Sequence, residues 1–301
     1  MRVFLVSMAL LLSLAGLAGA APELMIYNGD TLIDRGGISM GEWGSGHVVE
    51  SYDVHYIGPK VLRVLSQGYY QGGVLTLENP ASFQAFVSDP NAYFEFLVKP
   101  GVVPRPSSAT ASRGGGGTAA QQTTGRVAFL LRSFRVILVT DKGQMIVDGW
   151  PLRRSTLIGG NWRRLSIPLS AFKSASSEPA TLLTGLRFFA NRADIFYIGQ
   201  IRFVIDNSPI RVKVTAKPDR VDLGEKVTLE AEVDGGNAYT SVSWDFYEAD
   251  GIQVDAQGPK VEWIYHIPGE HVVTCTVSDV LGTKETVTAT TKVTAVAGGG
   301  S

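Results

Sequence analysis

The sequence is short of the residues from which covalent and metal chemistry is usually built. One cysteine stands among 301 residues, so no intrachain disulfide can form, and stability must come from burying apolar surface in domains large enough to do so. In Val273-Thr274-Cys275-Thr276-Val277 that cysteine shares strand parity with two valines, which makes it a small core residue rather than a thiol nucleophile. The four histidines, His47, His55, His266 and His271, show no metal-binding spacing, so zinc is not expected. No Gly-x-Ser-x-Gly elbow is present, and no ordered serine, base and acid can be assembled. Paired carboxylates for glycoside hydrolysis meet only in the folded chain, but no acid-base constellation stands out. The expectation is a protein that is not an enzyme.

Charge of one sign is also lacking. The formal net charge is -1, which gives no broad attraction to nucleic acid or to an anionic membrane. Long apolar runs are absent apart from Val3 to Leu17, which follows Arg2 and precedes the small residues Ala18-Gly19-Ala20. That run is shorter than the ~20 residues of a spanning helix and has the three regions of a secretory signal peptide over residues 1–20. The mature chain is therefore expected to begin at Ala21, to be secreted or displayed at the cell surface, and to have no membrane insertion after signal removal.

What is present is a succession of short alternating runs broken by glycine, proline and asparagine, the pattern of an all-β chain. Tyr52, Val54 and Tyr56 alternate with polar residues, and Val61 to Leu65 is denser. Val74 to Leu77 resumes a sheet before a turn at Asn79-Pro80, and Phe94, Phe96 and Val98 share one face. Residues 101–126 turn to Ser, Ala, Gly, Thr and Gln, with too few apolar groups to offset the entropy of ordering. They read as a disordered insertion within one sandwich, because strand patterning resumes after them. Arg135 to Thr140 and Gln144 to Asp148 flank Asp141-Lys142-Gly143 as a hairpin. Leu165, Ile167 and Leu169 alternate with Arg164, Ser166 and Pro168, and proline places 168 at a strand end or edge. Asn207-Ser208-Pro209 then separates two strand sets. The division is residues 21–208, residues 209–295, and a flexible tail over 296–301.

The stretch Trp162 to Leu169, ending Ile167-Pro168-Leu169, together with Tyr197-Ile198-Gly199-Gln200-Ile201, resembles the C-terminal half of galactose-binding-like jelly-roll sandwiches found among secreted carbohydrate-binding modules. The resemblance spans roughly Ile26 to Asp206. It implies a jelly-roll β-sandwich, a glycan as a possible ligand, and a structural calcium where first and last strands meet. Asp30, Asp34, Glu42 and Asp206 are the acids available for such an ion, Asp30 and Asp206 foremost. The family pattern has two aspartates where this chain has Gly199-Gln200, which removes the main motif supporting calcium. Downstream, Trp244-Asp245-Phe246, an aromatic before His266-Ile267-Pro268-Gly269, and Val277-Ser278-Asp279 followed by Gly282 resemble the PKD (polycystic-kidney-disease) domain. That resemblance implies a smaller immunoglobulin-like sandwich serving as a spacer or second contact surface, with Trp244, Phe246, Val273, Cys275 and Val277 in its core.

A glycan site needs an aromatic platform ringed by hydrogen-bonding groups. Trp43, Tyr52, Tyr56, Tyr69, Tyr70 and Trp150 are the candidates, with Tyr69 and Tyr70 displayed between Gly68 and Gly72-Gly73. Each has packing at a sandwich end as its alternative. Arg153, Arg154, Arg163 and Arg164 surround Trp150 and Trp162, as a wet strand face or as contacts for acidic sugars. The resulting expectation is a secreted binding protein that contacts extracellular or cell-surface polysaccharide. The alternative is a structural or adhesive surface protein that binds protein partners or itself.

Overall fold

The computed structural model describes residues 22–29, 37–101, 131–151, 161–247, 251 and 254–297. Residues 1–20, read above as a signal peptide, Asp30, Asp34, nearly all of the stretch 101–126 read as a disordered insertion, Arg153, Arg154 and most of the glycine tail fall outside these residues. Within them the chain is all-β, as its alternating runs predict. The first set of strands is β1 (Glu23–Tyr27), β2 (Ile38–Trp43), β3 (Gly46–Ser51), β4 (Val61–Gln67), β5 (Gly72–Ser82), β6 (Ala92–Pro100), β7 (Ser133–Thr140), β8 (Gly143–Pro151), β9 (Arg163–Pro168), β10 (Lys173–Ser174), β11 (Leu182–Ala190) and β12 (Ala193–Ile205). They hydrogen-bond in the order β10-β8-β7-β11-β5-β2-β3-β4-β12-β6-β9, with β1 also on β12. The β2–β3 ladder is only Glu42↔His47 and Trp43↔Gly46. At that hairpin the sheet folds over, setting β8-β7-β11-β5-β2 against β4-β12-β6-β9.

Phenylalanines hold the two layers together. Phe94 and Phe96 of β6 and Phe196 of β12 meet Phe134 of β7 and Phe188 of β11, with the Phe134–Phe196 and Phe96–Phe188 rings edge-on at 4.9 and 5.5 Å. Such pairs add about 0.5–1.5 kcal/mol each beyond the area they bury. The strand parity that placed Phe94, Phe96 and Val98 together puts all three in this core. β9 ends at Pro168, which has no N–H to offer a ladder, and Leu169 and Phe172 turn back into the same core.

Two local expectations differ. Tyr52, Val54 and Tyr56 alternate but form no strand. Residues 52–60 are a loop, closed by Gly58-Pro59 and pinned by the Trp162 indole, whose Nε1 donates to the His55 carbonyl at 3.0 Å. Asn79-Pro80 does not end its strand. β5 runs on to Ser82, and the register slips from Gly185↔Thr76 to Leu183↔Ala81. Proline sits in that bulge, where no ladder donor is required.

The second set builds two small sheets. β13 (Arg211–Lys217), β15 (Lys226–Asp234) and β18 (Lys260–Ile264) form one. β14 (Arg220–Asp222), β20 (Val287–Val296), β19 (Gly269–Asp279), β16 (Thr240–Asp245) and β17 (Ala256–Gln257) form the other. Trp244, Phe246, Val273, Cys275 and Val277 are fully buried between them. The Trp244 Nε1 donates to Gly258 O at 2.8 Å, and burial pushes the Cys275 thiol up to about 11, so it is not a reactive thiolate at neutral pH.

A polar latch joins the two sets. Lys284, 5 % exposed at its side chain, reaches Asp206 Oδ2 at 2.8 Å, and its ammonium also donates to Ser208 O at 2.8 Å and Gly235 O at 3.1 Å. Asp206 accepts as well from the backbone N–H groups of Ser208 (2.9 Å) and Asn237 (2.7 Å). Burial alone would raise the Asp206 pKa, but these hydrogen bonds outweigh it and hold the carboxyl at about 2. Tyr93 and Thr283 hydroxyls meet at 2.8 Å, and Trp150 packs edge-on against Tyr239 with ring centroids 6.3 Å apart.

Candidate functional site: an aromatic and arginine face

Strand parity sorts the first layer into a core face and an outward face. Phe134, Val136 and Leu138 of β7 and Leu186, Phe188 and Ala190 of β11 lie in the core. Arg135, Ile137, Arg187 and Phe189 therefore point away from it. On β2, Ile38 and Met40 pack on the core, which turns Gly41 and Trp43 outward. The ladders then set these residues in rows. Gly41 pairs with Val74, Val74 with Arg187, and Arg187 with Ile137. Trp43 pairs with Gly72, and Phe189 pairs with Arg135.

Gly72 has to be glycine, because a Cβ there would overlap the Phe188 carbonyl oxygen and come 2.8 Å from the Phe189 ring. Gly41 likewise leaves its position without a side chain. Gly41 lowers the sheet surface beside Trp43, where a flat ligand can approach the backbone closely, whereas Gly72 is covered by Phe189. Trp43 is 44 % exposed and Tyr70, in the β4–β5 turn, is 71 % exposed.

Between these two rings lie the arginines. The Arg187 guanidinium carbon sits 4.2 Å from the Trp43 ring centre. The Arg135 guanidinium carbon sits 4.6 Å from that of Tyr70 and 6.0 Å from that of Phe189. The face thus reads Trp43, Arg187, Phe189, Arg135, Tyr70, an alternation of aromatic and cationic groups. Arg135 has an anionic neighbour, with Asp148 Oδ1 2.9 Å from its Nε. Arg187 has none among the described residues, and burial pushes its pKa down with no carboxylate to offset it. The Nε atoms of both arginines are buried without a hydrogen-bond acceptor, so the Arg135–Asp148 contact is an ion pair without hydrogen-bond geometry.

Of the residues singled out from sequence, Trp43, Tyr69 and Tyr70 come together here. Tyr69 has a supporting position, its hydroxyl bonded to that of Ser133. Tyr52 is 71 % exposed but belongs to the 52–60 loop, near Lys60. Tyr56 lies against Trp162, ring centroids 5.3 Å apart, and Trp150 is buried in the contact with Tyr239. Asp206, expected as an oxygen donor for calcium, spends its carboxylate on Lys284 and backbone N–H groups, while Asp30 is outside the described residues. Among the described residues no cluster of three or more His, Cys, Asp or Glu is placed to hold a metal ion. Sequence reasoning missed Arg187 and Phe189, although Leu186-Arg187-Phe188-Phe189-Ala190 carries the signal: an arginine on the parity opposite Leu186 and Phe188.

The outward face of the other layer is differently made. Glu95 of β6 is buried there, with Arg202 Nε donating to it at 2.6 Å and Ser166 Oγ at 3.0 Å. Gly199 lies under Trp162 and Tyr56; a Cβ on it would come 2.8 Å from the Tyr56 Cβ and 3.0 Å from the Trp162 ring. Trp162 therefore occupies the place where the jelly-roll pattern has an acidic side chain.

With this geometry in hand, comparison with known proteins identifies one part of the chain. Residues 211–294 match the family model of the PKD domain. This PKD-like module is the pair of small sheets carrying Trp244-Asp245-Phe246. Among solved structures, the PKD1 domain of Vibrio anguillarum Epp is 25% identical, covers 30% of this chain and 100% of its own, and has a TM-score of 0.23. A family 30 carbohydrate-binding module is 15% identical over 62% of this chain and 99% of its own, with a TM-score of 0.38. A DUF4785 family protein from Legionella pneumophila is 10% identical over 90% of this chain and 69% of its own, with a TM-score of 0.22. No curated protein matches the chain. Among the described residues no helix is long and apolar enough to cross a membrane.

Proposed function

We propose that the chain is a secreted, non-catalytic binding protein that contacts extracellular or cell-surface glycans through the outward face of β2, β5, β7 and β11, with the PKD-like module held as a spacer or second contact surface. The observation that carries this reading is the combination of two exposed rings, Trp43 and Tyr70, with Gly41 lowering the sheet beside Trp43. Aromatic faces suit the apolar face of a pyranose, and the backbone and guanidinium groups around them supply donors for its hydroxyls. Family resemblance supports the same class of ligand, since a carbohydrate-binding module is among the proteins the chain is similar to.

The test is affinity electrophoresis and a glycan array on the wild-type chain and on Trp43→Ala and Tyr70→Ala. Each substitution removes an exposed ring from a sheet that stays intact, so binding should weaken about tenfold or more, ~1.4 kcal/mol, with melting unchanged. The absence of binding to any polysaccharide, together with self-association at micromolar concentration, would instead support an adhesive protein.

A further inference from the structure

We infer that the Trp43–Arg187 end of this face is a subsite for an anionic sugar ring, one that carries a carboxylate or a sulfate, with Arg187 as the group that binds the anion. The inference rests on the reading of the face as a glycan surface and adds the class of sugar.

Desolvating a cation is unfavourable unless a partner is supplied, and proteins meet this by pairing, as Arg202 does with Glu95 at 2.6 Å on the opposite face. Arg135, one row away, has Asp148. Arg187 is flanked in its row by Val74 and Ile137 and lies over Trp43 at 4.2 Å, so the partners that its row and its ring contact supply are apolar or aromatic. Its buried Nε, like that of Arg135, has no hydrogen-bond acceptor among the described residues, but Arg135 has a carboxylate beside it and Arg187 has none. Contact with the indole restrains the guanidinium, and with Nε buried the two terminal N–H groups are the ones a carboxylate or sulfate would meet with parallel hydrogen bonds. Gly41, paired to Val74, keeps the neighbouring surface clear. Trp43, 44 % exposed, has surface left over for the sugar ring that brings the anion.

The competing explanation is that Arg187 only covers Trp43 and takes no ligand. The two differ in what the ligand's charge does. The wild-type chain is titrated by isothermal calorimetry with polygalacturonate, with the same polymer methyl-esterified, with a sulfated glycosaminoglycan, and with neutral glucan and galactan, at low and high salt. Binding of at least one anionic polymer, at least tenfold weaker on Arg187→Gln and falling with salt, is the expected result. Esterification should abolish polygalacturonate binding if the anion is a carboxylate. Retention of the sulfated polymer alone would assign the anion as sulfate. Arg187→Lys keeps the charge without the fork and should fall between wild type and Arg187→Gln, and the esterification arm needs no variant at all. Binding to neutral polymers only, or equal binding of anionic polymers by wild type and Arg187→Gln, overturns the anionic subsite while the glycan face stands. No binding to any polymer removes both.

Discussion

Replacing Lys284 by methionine should uncouple the PKD-like module from the first sandwich, and the structure sets the size of the effect. The Lys284 side chain is 5 % exposed and that of Asp206 15 %. The ammonium donates to Asp206, to the carbonyls of Ser208 and Gly235, and lies 6.0 Å from the Tyr93 ring centre. Methionine keeps the length and the apolar packing but leaves the Asp206 carboxylate with only N–H and hydroxyl donors. Breaking a buried pair in this way costs about 3–5 kcal/mol; because Asp206 keeps the N–H groups of Ser208 and Asn237, the lower end applies. Urea unfolding followed by tryptophan fluorescence reads this as a lower midpoint, with the transitions of the two modules separating. A double-mutant cycle with Asp206→Asn isolates the pair, since methionine and asparagine together remove both charges; the coupling should be at least about 1.5 kcal/mol. A coupling below about 0.5 kcal/mol, the range of exposed ion pairs, would show that Lys284 and Asp206 are solvated independently and that the latch reasoning is wrong.

Acid should act on the same latch. Asp206 is held at about 2, below its unfolded value of about 4, so the unfolded state binds more protons between these limits. The stabilisation is complete above about pH 4 and is lost as pH falls toward 2, about 1–2 kcal/mol after solvent screening of a partly exposed group. Unfolding free energies at pH 5, 3 and 2 should fall less in Asp206→Asn than in wild type; parallel curves would remove Asp206 as the cause. Asp141, also held at about 2 by Thr181 and the Leu182 N–H, titrates in the same window and should account for part of the remaining slope. Gly199→Asp restores the acid of the jelly-roll pattern and should push Trp162 and Tyr56 off the sheet, costing about 1–3 kcal/mol. A red-shifted tryptophan emission with a lowered urea midpoint is expected, and an unchanged spectrum would mean that the loop accommodates the side chain.

Much of the fold was legible because alternation fixes which face a strand residue takes. Phe94, Phe96 and Val98, the Asp141-Lys142-Gly143 hairpin, the strand ending at Pro168 and the core residues of the PKD-like module all follow from local patterning. The failures share a cause. Tyr52, Val54 and Tyr56 alternate like a strand but have no neighbouring strand to pair with, and the loop instead takes its shape from Trp162, more than a hundred positions away in sequence. Asn79-Pro80 looks like a turn, yet β5 continues because a bulge tolerates a missing donor. The site was half legible. Exposed aromatics between glycines pointed to Tyr69 and Tyr70, and Trp43 was among the candidates. What sequence did not show is that Trp150 lies against Tyr239, and that strands far apart in the chain, β2, β5, β11 and β7, stand side by side.

That adjacency is what gives the arginines their meaning. Arg202 and Arg187 are both strand residues on outward faces, and each is partly buried. Arg202 meets Glu95, itself 2 % exposed, and Ser166 bonds the same carboxylate, so on that face the fold supplies both charges and the network is closed. Arg187 meets a tryptophan, a valine and an isoleucine, so among the described residues its face holds no acceptor for it. If burial of arginine served only packing, the cheapest solution on the Trp43 face would be the one used on the other side, a carboxylate in the next strand; Val74 and Ile137 occupy the two paired positions where it would stand. A guanidinium with no carboxylate partner among the described residues, beside the bare Gly41 backbone and an exposed indole, is a costly arrangement for stability alone and a consistent one for binding an anionic ring.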